Sequence, residues 1–188
     1  MGESKTLTTS ASRSRAIAFT ALTIAIIAVS AWVTIPLGPI PFTLQMFAVT
    51  FAIVVLPPRQ CLAAIAGYLT LGALGVPVFS GMRGGIGVLL GPTGGYLWGY
   101  LAGVAVAVAV LSLFRARGVD NFATGVVAGL VFTAISYVCG WAQFMAISGL
   151  DPLAAFLTTV APFIVVDVVK VVAATAVARM VLAAVPRR

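Results

Sequence analysis

The chain has 188 residues, 62% hydrophobic and 8% charged, with 11 Lys and Arg against 4 Asp and Glu for a net charge of +7. A soluble domain carries about 25% charged residues, so a water-exposed globule is excluded and the composition is that of an integral membrane protein of one domain's length. Histidine is absent, which removes imidazole metal ligands, general bases and pH switches, and the basic residues fit a positive-inside bias better than a nucleic-acid surface.

Residues 1–15 are polar, basic and rich in Ser and Thr, and are expected to form a disordered cytoplasmic tail ahead of a single membrane domain over 16–188. The first apolar run, Ala16 to Pro36, is long enough to span. Val29-Ser30-Ala31 resembles a cleavage site, but the run continues past it, so an uncleaved helix is expected. The prolines of Pro36-Leu-Gly-Pro-Ile-Pro41 end it, because each removes a donor and restricts its neighbour. Further spans are expected at Phe42–Leu56, Gln60–Val76, Thr93–Phe114, Phe122–Ala146 and Phe156–Val185.

Between the third and fourth spans lies Pro77–Pro92, with five glycines in 16 residues. It is too apolar for an ordinary loop and too rich in Gly and Pro for a spanning helix. Irregular backbone at membrane depth is tolerated where protein covers it or where it lines a cavity. The reading is thus an all-α bundle of six transmembrane helices. With both termini inside, Lys5, Arg13, Arg15, Arg59, Arg115, Arg117, Arg187 and Arg188 lie in the cytoplasm and only Arg83 in the outer connections, which makes the orientation N-in, C-in.

Small residues mark helix contacts. Gly95, Gly99, Gly103 and Ala107 form a small-xxx-small stripe on the fourth span, Gly125 and Gly129 begin another on the fifth, and Ala21 and Ala25 make a shorter one on the first. Such stripes let backbones approach closely in lipid. Cys61 and Cys139 are single residues in apolar runs and read as packing side chains, with no metal or disulfide framework.

The residues that stand out are Asp167 and Lys170, inside the apolar run of the last span. Insertion scales put each such charge at about 2.5–3.5 kcal/mol in mid-bilayer. Three residues apart on a helix, they share one face about 4.5 Å apart along the axis and can partly neutralise each other. The pair is either a structural register lock or part of a ligand pocket open to the outer side. Tyr96, Tyr68 and Tyr137 combine an apolar body with a polar tip and suit such a pocket. Trp32, Trp98 and Trp141 fall near outer helix ends, as an interfacial belt or as walls for a ring-shaped ligand. No Gly-Lys-Ser/Thr is present, so ATP hydrolysis is not expected, and an intramembrane serine protease would need a histidine. No enzyme activity and no cofactor are expected.

Pro36-Leu-Gly-Pro-Ile-Pro-Phe-Thr-Leu-Gln45, Gly91-Pro-Thr-Gly-Gly-Tyr96 and the Asp167/Lys170 pair, in this order and across residues 16–180, resemble the biotin-specific S component (BioY family) of energy-coupling factor transporters. The resemblance implies a six-helix subunit of the cytoplasmic membrane that captures biotin from outside. It also implies partners: a transmembrane coupling subunit, contacted by Ala21 and Ala25, and two ATPases. Biotin carries a ureido ring, an apolar thioether ring and a valerate tail. Asp167 can accept ureido N–H bonds, and Lys170 can neutralise it and donate to a ligand oxygen; which end of biotin meets the pair stays open. The glycine loop, with Gly84, and Arg83 suit a carboxylate. Gln45 and Thr43 offer neutral hydrogen bonds, and Tyr96, Tyr68 and Trp98 apolar walls. An alternative from another class is an ion-coupled carrier with Asp167 as its protonatable site; a structural membrane subunit is a third.

Overall fold

The computed structural model describes residues 3–36 and 40–184, with side chains from residue 13 onward. Eight helices are present among them: α1 Glu3–Trp32, α2 Gln45–Val55, α3 Pro58–Ala73, α4 Ile86–Leu90, α5 Gly94–Ala116, α6 Phe122–Ser148, α7 Pro152–Thr159 and α8 Ile164–Ala184. Arg13–Trp32, α5 and α6 are each long and apolar enough to cross a membrane, and α7 with α8, bent by 47° at their junction, makes a fourth if counted as one broken span. These helices make the chain a multi-pass membrane protein. At 11 residues α2 is a shorter apolar helix, so by length and composition three helices, or four with the broken pair, can cross a membrane among the described residues, where six were expected.

One expectation changes. The last span is not one continuous helix: α7 ends at Thr159 and α8 begins at Ile164, because Pro162 lacks an N–H and cannot continue the ladder. At the other terminus, α1 starts at Glu3. Extending a formed helix fixes one residue per hydrogen bond, which is far easier than nucleating one. Lys5, Arg187 and Arg188 lie outside the described side chains.

Two short strands pair on either side of the proline segment. β1 Thr34–Ile35 pairs antiparallel with β2 Phe42–Thr43, Thr34 opposite Thr43 and Ile35 opposite Phe42. Leu44 N–H also donates to Ser30 O at 3.1 Å, tying the residue after β2 to the end of α1. The chain therefore enters α2 already anchored, and this fixes where Phe42, Thr43 and Gln45 point.

The glycine stripe of α5 packs against α6 along its length. A Cβ at Gly99 would come within 2.6 Å of Ser136 Cα and one at Gly103 within 2.8 Å of Phe132 O. On α6, Gly125 and Gly129 meet Thr175 and Val171 of α8. Close backbone approach is what such stripes provide in lipid, where dispersion rather than water release drives helix association. The buried core, centred on Val49, Ile53, Ile65, Val104, Leu111 and Phe132, lies beneath one end of the bundle. That end, where β1, β2, α4 and α7 gather, holds the cavity.

Candidate functional site

A narrow cavity of about 70 Å3 opens at this end. Ile40–Thr43, Gln45 and Met46 supply one side, Phe79, Ser80 and Val88 the loop side, Thr93 with Tyr96, Leu97 and Tyr100 of α5 another, and Tyr137, Thr159, Phe163, Asp167 and Lys170 the rest. The walls are mostly aromatic and aliphatic, and the polar groups converge on Asp167.

Asp167 is 5% and Lys170 8% exposed. Lys170 Nζ donates to Asp167 Oδ1 at 2.8 Å and to Thr43 O at 2.7 Å, and it sits 3.6 Å from the centroid of the Phe42 ring. Tyr137 Oη donates to the other carboxylate oxygen, Oδ2, at 2.6 Å. Asp167 also falls in the first turn of α8, where the helix dipole favours a negative charge. A buried pair stands only when geometry is good and the remaining valences are met. Here the carboxylate has a donor on each oxygen and the ammonium has two oxygens and an aromatic face. One Lys170 N–H and a lone pair on each Asp167 oxygen are left for whatever fills the cavity.

Gln45 is oriented from behind. Its Nε2 donates to Tyr68 Oη at 2.7 Å, Tyr68 Oη donates to Val78 O at 3.1 Å, and Thr43 Oγ1 donates to Gln45 Oε1 at 3.2 Å. Tyr68 is fully buried outside the lining, edge-on to Phe79 with centroids 5.5 Å apart. Its part is to hold Gln45, not to form a wall. Tyr96 lines the cavity, donates to Thr159 O at 2.8 Å and meets Tyr137 edge-on. A Cβ on Gly140 of α6 would collide with the Tyr96 ring, so that glycine makes the space the ring occupies.

The structure thus brings Asp167, Lys170, Gln45, Thr43 and Tyr96 together at one cavity. Arg83, Gly84 and Trp98 fall outside its lining. The exposed Arg83 side chain folds back onto its own turn, Nε donating to Ser80 O at 3.1 Å. Gly84 is pressed against backbone, where a Cβ would lie 2.5 Å from Val76 O. Trp98 is 44% exposed and donates to Leu89 O at 3.2 Å. Trp32 donates to Pro77 O and Trp141 to Pro152 O, so all three indoles clip connections at the cavity end. Gln143 adds two bonds to the end of α4, at Leu89 O and Gly91 O.

Phe42, Tyr100 and Phe163 are lining residues that the sequence reading did not single out. Phe42 lies in the proline motif and Phe163 follows Pro162, so proximity to a breaker was the available signal. Tyr100, four residues after Tyr96 on α5, shares its face by helical spacing. At the opposite end a second charge cluster forms. Arg179 of α8 donates to Asp120 Oδ1 at 2.6 Å, Arg115 Nε lies 3.4 Å from Asp120 Oδ2, and Arg115 Nη2 donates to Val54 O at 2.8 Å.

Comparison with known proteins agrees with this architecture. A probable biotin transporter BioY of Pyrococcus horikoshii is 39% identical over 165 residues, covering 88% of this chain and 93% of that protein. The biotin transporter BioY of Thermotoga maritima is 44% identical over 116 residues, 62% of this chain and 66% of that one. BioY2 of Lactococcus lactis is 36% identical over 155 residues, covering 82% and 83%. A solved structure, the S-component for biotin from an ECF-type ABC transporter, superposes with a TM-score of 0.83 over 90% of this chain and 92% of its own, at 22% identity, and so shares the fold. The BioY family model matches residues 4–187, and the chain belongs to the BioY family.

Proposed function

We propose that the chain is the substrate-binding subunit of a biotin uptake system, capturing biotin from outside the cytoplasmic membrane. The observation that carries this is the buried Asp167–Lys170 pair set in an aromatic cavity, in a chain whose relatives are named biotin transporters. A near-neutral pair with free acceptor lone pairs and one free N–H suits a neutral donor–acceptor group such as the ureido ring. A ligand carboxylate would instead meet the Asp167 charge. The ureido ring therefore lies at Asp167 and Lys170, the thioether ring against Tyr96 and Leu97, and the valerate carboxylate toward the mouth beside Ser80.

The remaining parts of the reading follow from charge and surface. Six crossings result if α2 and α3 each count as one and α7 with α8 as one. Arg13, Arg15, Arg59, Arg115 and Arg117 then face the cytoplasm, with the polar residues 1–15, and both termini lie inside. The protein does no covalent chemistry; ATP hydrolysis falls to two partner ATPases, joined through a transmembrane coupling subunit. Ala21 and Ala25 are exposed on α1, beside the exposed Leu22 and Ile26, a small-residue face open to a partner helix. An ion-coupled carrier is less favoured, because protonating Asp167 would leave Lys170 as a buried ammonium without its counter-ion.

Equilibrium binding of labelled biotin to the purified chain, competed by other vitamins, tests the central reading. Saturable binding displaced by biotin alone is expected; no binding, or displacement by an unrelated vitamin, would overturn it. For the partner face, Ala21→Trp with Ala25→Trp should leave binding intact while reducing co-purification with the coupling subunit. Unchanged co-purification would remove α1 from that interface.

A further inference from the structure

Four tyrosines surround the buried polar groups, and three have committed their hydroxyls: Tyr68 to Val78 O, Tyr96 to Thr159 O and Tyr137 to Asp167. The fourth, Tyr100, lines the cavity and is 4% exposed, and among the described residues its hydroxyl makes no hydrogen bond. Its ring is fixed, with the Phe132 ring 5.4 Å away at an interplanar angle of 62°. Burying a hydroxyl without a partner costs about 1–3 kcal/mol, and a ligand that expels water from this cavity imposes that cost unless it supplies the partner.

The shared cavity identifies what the partner would be. The Tyr100 and Lys170 side chains both line it, so one ligand filling it can touch both. Around them the acceptors outnumber the donors: Asp167 can only accept, and Lys170 keeps a single free N–H. A cyclic urea brings two N–H donors and a carbonyl with two lone pairs. The Asp167 oxygens satisfy the donors, and one lone pair of the carbonyl takes the remaining Lys170 N–H. For the carbonyl's second lone pair the lining offers two uncommitted neutral donors, the Tyr100 hydroxyl and the second Nε2 N–H of Gln45.

We infer that the Tyr100 hydroxyl supplies this contact, donating to the ureido carbonyl and making Tyr100 a specificity-determining residue of the site. The inference rests on the biotin reading above. It explains why a residue whose hydroxyl makes no hydrogen bond among the described residues is a tyrosine rather than a phenylalanine.

The test compares wild type with Tyr100→Phe, which keeps the ring against Phe132, using three ligands. Melting temperature and elution profile should be unchanged. Biotin affinity should fall about three- to tenfold, the range for one hydrogen bond between neutral groups. Desthiobiotin keeps the ureido group and should show the same loss. 2-Thiobiotin replaces the carbonyl oxygen by sulfur, a poor acceptor, and its loss should shrink below about twofold. Equal losses for all three ligands would make Tyr100 a wall and overturn the assignment, as would no loss for biotin. Failure of wild type to bind biotin at all would instead overturn the functional reading, so the two failures are distinguishable.

Discussion

Helix α8 carries a charge cluster toward each end, and the two are held by opposite physics. Asp167 and Lys170 are almost without solvent, 2.8 Å apart, and depend on Tyr137, Thr43 O and Phe42 for their remaining contacts. Arg179 and Asp120 are closer still at 2.6 Å, yet their side chains are 22% and 29% exposed and water can replace what either loses. Distance alone would rank the second pair first. Burial reverses the order, since removing one partner of a buried pair strands the other, while an exposed pair is worth about 0–1 kcal/mol. The same helix therefore bears a pair that is costly to break and chemically useful beside one that fastens a connection.

The sharpest separation should come from stability. Lys170→Met leaves Asp167 buried without its cation and is expected to cost about 3–5 kcal/mol, read as a lowered melting midpoint in detergent. The double variant with Asp167→Asn should regain much of that loss. Arg179→Gln should cost no more than about 1 kcal/mol. Comparable losses at the two ends would erase the distinction.

Ligand affinity comes next. Asp167→Asn should weaken labelled-biotin binding by about tenfold or more while the protein still folds, since a hydrogen bond to a charged group is worth about 1.5–3 kcal/mol. Arg179→Gln should leave affinity within about twofold. Tyr137→Phe, which frees Asp167 Oδ2, should fall between them at about three- to tenfold. Wild-type affinity in Asp167→Asn would sink the site assignment.

The smallest effect is a pH dependence at the exposed end. Burial alone would raise the Asp120 carboxyl, but the hydrogen bond from Arg179 and the Arg115 guanidinium outweigh it and hold the group below its usual range. A carboxylate lowered in the folded state contributes stability above its unfolded value, near pH 3.9, and loses it as pH falls through the folded one. The melting difference between wild type and Asp120→Asn should therefore be small but present at pH 7, shrink in high salt, and close below about pH 4. A difference that widens in acid would contradict this sign.

Much of this contrast could be read from residue order. Two charges in an apolar run are conspicuous because the bilayer makes them costly, and the glycine and proline segments announce irregular backbone where a helix would otherwise be required. Helix positions followed for the same reason. What could not be read is whatever depends on two distant segments meeting. Lys170 reaches Thr43 O across 127 positions, and Arg179 finds Asp120 across 59. Tyr68 and Tyr96 looked alike in sequence, yet one stands behind Gln45 and the other faces the cavity, because α3 and α5 present different faces to it. Arg83 and Trp98 had suitable chemistry for a ligand, but Ser80 O and Leu89 O are their actual acceptors. Local carbonyls compete well for a donor when the backbone around it is irregular.

The contact between Gly140 and the Tyr96 ring has a bearing on how such a receptor could change its guest. The ring is a partition seated on bare backbone, with the cavity in front and α6 behind. Adding one methyl group behind it would push the partition forward and narrow the chamber, although the altered residue never meets the guest. Selectivity in this bundle can thus drift by shimming a wall from outside, leaving every group that grips the ligand unchanged.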